Sequence, residues 1–266
     1  MDRDAYLATF RTNTDGLIAA ARPGLEPAVP SCPGWTVADL VAHIGGVDWY
    51  WWNHVSNRAQ EQSGFPPKET FDDYPGVVDF LNASFEGKAD PSDAPPNLID
   101  WYAEGARRLG DSFCDIDPEE SIWHWSGDNR AIVHVRMQAI ETAVHRWDAE
   151  NAHGQGRPVD ADLARDGIDQ QFQVMVPHAR RGGEPRVGAG ESFHLHRTDG
   201  EGEWLIRFEG NDVQVSREHA KAGVALRGSA SDLFLYLWGR IPYSALDVVG
   251  DTSLLERYRE LVPPLN

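Results

Sequence analysis

The apolar residues of this chain change their period partway along it. Up to about His153 they recur at three- and four-residue steps, the helical repeat; later they alternate every second residue, the strand repeat. A 266-residue chain is long enough for one large domain or two of ordinary size. The change of period divides it into a helical part and a mixed part. The boundaries expected from it are a four-helix bundle over 1–155, a connecting helix and linker over 156–185, and a small α+β domain over 186–266.

Four stretches of the first part have a helical stripe. In 4–21, Tyr6, Phe10, Leu17 and Ile18 lie near one face, and Pro23-Gly24 ends the run. The second helix starts at Thr36, with Asp39 placed to complete a capping box. Its stripe is Val37, Leu40, Val41, Ile44 and Val47, so His43 points at least partly inward. Gly45-Gly46 would weaken a helix by about 1 kcal/mol each relative to Ala; the pair marks either a kink or helix end, or a close approach by another helix or a ligand. Residues 63–96 are rich in Pro, Gly and acids, with one weak helical pattern at 75–85. The third strong helix covers 98–113, with Trp101, Leu109 and Phe113 on one stripe and Gly105 at its remaining step. The fourth covers 131–151. Polar connections between four long amphipathic helices suggest an up-and-down bundle, a common host for metal sites.

In the second part, 160–178 reads as a helix and 180–190 as a linker rich in Arg, Gly and Pro. Phe193 and Leu195 alternate with His194 and His196, which are therefore expected to be solvated. Asp199-Gly200 separates this strand from a second containing Trp204, Ile206 and Phe208, a hairpin signal. Further strands are expected at Val213–Val215 and Val224–Leu226. Residues 229–238 read as a buried helix capped by Ser229 or Ser231 and stopped by Gly239. A short helix over 252–261 closes the chain.

Charge narrows the partners. Lys and Arg total 24 against 42 Asp and Glu, a net charge of -18. So acidic a surface disfavours nucleic acid and anionic membranes. No apolar run reaches the roughly 18 residues of a membrane span, and no signal-peptide core precedes residue 14, so a cytoplasmic location is expected. The only cysteines, Cys32 and Cys114, form no CxxC and give no support for a disulfide. There is no HExxH, G-x-S-x-G, Walker or G-x-G-x-x-G motif. Cys32 lies in a loop before Pro33 with no identifiable base, a weak candidate nucleophile.

The strongest chemical signal is in 137–150, MQAIETAVHRWDAE. Glu141 and His145 are four apart, which on a helix puts both on one face. Alone, such a pair is more often an ion pair than a metal site. His43 offers a third donor, and two histidines with one carboxylate leave coordination positions open, as catalytic zinc or iron(II) sites do. His134, two turns before Glu141, competes for the histidine role, and Asp148 reads as an outer partner or a surface residue.

PGWTVADLVAHIGGV, the E-x-x-x-H of ETAVHRWDAE, and DLFLYLWGR near the end, in this order, resemble the mycothiol-dependent maleylpyruvate isomerase family. The resemblance implies a DinB-like bundle followed by a C-terminal domain similar to sterol carrier folds. It implies His43, Glu141 and His145 as metal ligands, zinc as the metal, mycothiol as the thiol cofactor and Arg240 as the catalytic arginine. The implied partners are a small thiol and a small electrophile, with cis-trans isomerisation or S-transfer as the outcome. A non-catalytic metal- and ligand-binding protein and a metal-dependent hydrolase are the alternative readings.

Overall fold

Thr36 starts the helix that carries His43. Its hydroxyl accepts from the Asp39 amide at 3.4 Å while the Asp39 carboxylate accepts from the Thr36 amide at 2.9 Å, the reciprocal capping box. The computed structural model describes residues 1–181 and 186–262; 182–185, within the expected linker, lie outside the described residues. Two compact units divide at Arg157/Pro158.

The first unit, Met1–Arg157, contains helices α1 (Arg3–Ala21), α2 (Val37–Ser56), α3 (Val77–Phe85), α4 (Leu98–Cys114) and α5 (Ala131–Ala152). The four long ones form a bundle, but not with chain-order neighbours side by side. Helix α1 packs on α5 and α4, and α2 packs on α4 and α5, while α1 with α2 is a minor contact. The up-and-down expectation is corrected accordingly. The connections after α1 and after α4 are long enough to cross a bundle diagonal, which a tight turn could not do. This order sets α2, carrying His43, beside α5, carrying Glu141 and His145.

Gly45 and Gly46 do not end α2, which runs unbroken from Val37 to Ser56. A Cβ on Gly45 would come within 2.4 Å of Trp101 Cζ3, and one on Gly105 within 2.6 Å of Trp49 Nε1. Each helix thus sinks a tryptophan into the other's glycine, and Trp49 Nε1 donates to the Trp101 carbonyl at 3.1 Å. Both indoles are fully buried. Helix α3 begins at Gly76, whose φ of 84° is in the left-handed region. Its Ser84 hydroxyl donates to Asp39 at 2.7 Å, so one carboxylate both caps α2 and tethers α3.

The second unit, Pro158–Asn266, holds α6 (Ala161–Gln170), a π-turn at Gln171–Met175, α7 (Val176–Arg181), strands β1 (Gly188–Arg197), β2 (Glu203–Gly210), β3 (Asp212–Ser216) and β4 (Val224–Gly228), then α8 (Ala230–Leu237), β5 (Asp247–Gly250) and α9 (Ser253–Leu261). The expected helix over 160–178 is therefore interrupted, and it belongs to the second unit: α6 packs on α8, which lies on β4 and β1. The sheet order is β3-β2-β1-β4-β5, antiparallel except for β1 with β4. Strand β5 escapes a reading by alternation because its four residues, Asp-Val-Val-Gly, are too few to show a period. Phe193, Leu195, Trp204 and Ile206 fill the core face.

Helix α8 ends in a Schellman motif. Gly239 has φ 74°, its amide donates to the Tyr236 carbonyl at 2.9 Å, and the Arg240 amide donates to the Leu235 carbonyl at 2.8 Å. Arg240 therefore has a fixed backbone. Its Nη1 donates to the Trp238 carbonyl at 2.8 Å.

Candidate metal centre

His43, Glu141 and His145 each offer a ligand atom, and these atoms lie within 4.8 Å of one another. His43 Nε2 stands 3.7 Å from Glu141 Oε1. That is too long for a hydrogen bond but suits two donors sharing one ion, because zinc bonds of about 2.0–2.2 Å at tetrahedral angles put ligand atoms about 3.4 Å apart. The His43 and His145 rings are 5.1 Å apart by centroid and nearly perpendicular, at 75°.

The three side chains differ in their support. His145 Nδ1 donates to Asp148 Oδ2 at 3.0 Å, which leaves Nε2 as the nitrogen for a metal. Asp148 is fully buried and also accepts from the Ser31 hydroxyl at 2.5 Å, with Cys32 Sγ 3.8 Å from its other oxygen. Ser31 and Cys32 reach it from the loop before α2, which is closed by Val29 donating to the Trp35 carbonyl at 2.8 Å. The same loop lays Trp35 against His43 at 5.0 Å, and Phe85 at the end of α3 lies 6.3 Å from it. Burial works to raise the Glu141 pKa, but the pull of the His43 and His145 imidazoles outweighs it and holds the carboxyl below its ordinary value. An anionic carboxylate with two imidazoles, one already oriented by a buried acid, fits a divalent ion of the zinc class.

His134 lies elsewhere. Seven residues along α5 is about 10 Å, and its ring packs on Trp51 at 4.9 Å and His124 at 4.8 Å. Burial pushes its pKa down to about 4 and that of His124 to about 3, so both are neutral core imidazoles. Asp148 is no surface residue, and Cys32 and Cys114 are not joined in a disulfide. Asp48 on α2 was not singled out by spacing, although it continues the stripe seven residues after Val41. It is fully buried with neither oxygen hydrogen-bonded. Burial, then the Glu141 charge, hold its pKa well above the usual carboxylate range.

The expectation that His194 and His196 are solvated is corrected. His194 is only 5% exposed and His196 is half-buried, because both turn toward Glu203 on the neighbouring strand. Among the described residues no helix is long and apolar enough to cross a membrane.

Residues 7–150 match the mycothiol maleylpyruvate isomerase N-terminal domain, and residues 162–257 match the C-terminal domain of the same family. A crystal structure of the mycothiol-dependent maleylpyruvate isomerase superposes with a TM-score of 0.63 at 14% identity, covering 95% of each chain. A histidine-to-alanine mutant of that isomerase superposes with the same values. A comparison with curated proteins returns no match. The two domain matches, in order and together spanning most of the chain, show that it belongs to the mycothiol maleylpyruvate isomerase family of enzymes.

Proposed function

We propose that this chain is a zinc-dependent, mycothiol-using enzyme that isomerises a cis enone acid of the maleylpyruvate type. The observation that carries the metal assignment is the convergence of His43, Glu141 and His145 within 4.8 Å. When bound, zinc would supply a Lewis-acid position that favours a thiolate, and mycothiol would supply the nucleophilic sulfur for cis-trans isomerisation. The chain's own residues do the rest. His43, Glu141 and His145 hold the ion. Asp148 keeps His145 in the tautomer that presents Nε2. Trp35 and Phe85 wall the His43 side with aromatic rings. The family resemblance gives Arg240, in the second unit, the part of the catalytic arginine, whose guanidinium fork suits a carboxylate in two parallel hydrogen bonds. Release of the product after sulfur addition alone would make the same residues an S-transferase.

The test combines metal content with turnover. His43→Ala, Glu141→Ala and His145→Ala should each hold one zinc fewer than the wild type and lose thiol-dependent isomerisation. Arg240→Ala should keep its zinc and turn over slowly. Metal content unchanged in all three ligand variants would refute the assignment, and turnover by the wild type without any thiol would instead indicate activation of water.

A further inference from the structure

A second group of histidines lies in the second unit, remote in sequence from the bundle ligands. His194 and His196 project from the non-core face of β1 and Glu203 from the same face of β2, with His196 and Glu203 directly opposite in register. His219 joins them from the segment after β3. All three imidazoles reach one carboxylate: His194 Nε2 is 2.6 Å from Glu203 Oε2, and His196 Nδ1 and His219 Nδ1 are 2.7 Å and 3.0 Å from Oε1. Ligand atoms of His194, Glu203 and His219 lie within 4.8 Å of one another. The rings of His194 and His219 are 5.1 Å apart by centroid, and those of His196 and His219 are 5.5 Å apart.

Two physical points favour a ligand here. Three of the chain's ten histidines converge on one glutamate, in a protein whose cations are otherwise nearly all arginine. Arg227, opposite His196 across the β1–β4 pairing, donates to Asp247 at 3.0 Å instead. The cluster is also partly prearranged: His194 is buried, and the strand register holds His196 and Glu203, so only the exposed His219 must be drawn in. Bringing donors from 4.8 Å apart to the about 3.4 Å of a tetrahedral zinc site needs shifts of less than about 2 Å.

We propose that His194, Glu203 and His219, with His196 beside them, form a second divalent-metal site of the imidazole-preferring, zinc-like class. Its donor set of nitrogens and one carboxylate selects such ions over magnesium or calcium, which take oxygen ligands. The site is independent of the bundle centre.

The test is equilibrium dialysis of the full chain, stripped by chelator, against zinc. The wild type should bind two ions. Glu203→Gln and His219→Ala should each bind one, with the affinity of the second lowered more than about 100-fold, beyond the usual effect of losing an outer-shell partner. His43→Ala should also bind one, and His43→Ala with His219→Ala none. Cobalt(II) added to His43→Ala should give ligand-field absorption that disappears when His219→Ala is added. His219 is exposed, so that variant keeps the fold, which circular dichroism checks. One ion in the wild type, lost with His43→Ala and unaffected by Glu203→Gln or His219→Ala, would overturn this site and leave the proposed function standing. One ion lost with Glu203→Gln but retained in His43→Ala would support this site and refute the bundle assignment.

Discussion

Asp148→Asn separates the charge behind His145 from its shape. In the wild type the fully buried carboxylate accepts from Ser31 at 2.5 Å and from His145 at 3.0 Å. An amide of the same size has only one oxygen to offer and no charge. A hydrogen bond to a charged group contributes about 1.5–3 kcal/mol against about 1 kcal/mol for a neutral one, so the substitution should cost about 1–2 kcal/mol of support for the metal-bound imidazole. That corresponds to zinc binding weaker by about 5- to 30-fold, within the scale of losses of outer partners at metal sites. The assay is competition with a chromophoric chelator, done in a His219→Ala background so that only the bundle centre is read. Ser31→Ala, which leaves the charge on His145, should have a smaller effect. Zinc affinity in Asp148→Asn equal to that of the wild type would refute the reasoning that Asp148 orients His145.

Three further outcomes follow from the packing. Gly45→Ala places a methyl within 2.4 Å of Trp101 and should cost about 1–3 kcal/mol in a denaturant titration; a neutral result would mean that the tryptophan interlock is loose. Glu150→Ala breaks the buried ion pair with Arg146, 2.6 Å long, and leaves Arg146 its hydrogen bonds to Asn13 and the Arg157 carbonyl; it should lower stability by about 3–5 kcal/mol, read as a drop in melting temperature. His124 and His134 have folded pKa values depressed to about 3 and about 4, so the folded state binds fewer protons than the unfolded one. The stability they contribute is complete above about pH 6.5 and is lost as pH falls toward 4; His134→Gln should flatten that part of the stability profile, and an unchanged slope would count against buried neutral imidazoles.

Much of the local structure was legible in the chain because it depends on neighbours in sequence. The Thr36–Asp39 cap, the stop at Gly239 and the strand pairing across Asp199-Gly200 are short-range events governed by backbone hydrogen bonds. The four-residue step from Glu141 to His145 likewise needs only a helix to bring the two side chains onto one face. The role of Gly45 was legible only as two alternatives, since a glycine shows that space is needed and not what occupies it.

Tertiary structure decided the rest. That His43 on α2 comes to lie across from Glu141 on α5 follows from the diagonal bundle order, which long connections permit but do not specify. Period alone placed His194 and His196 on the solvent face; the opposite strand's register supplied Glu203 and turned them into a cluster. Asp48, a polar residue in an apolar stripe, is buried by tertiary packing, and the Glu141 charge adds to the upward push that burial gives its pKa. Spacing along one element is set by the chain's own geometry, so the sequence determines it. Juxtaposition of separate elements is set by which apolar faces bury together, and that choice is made by the whole fold.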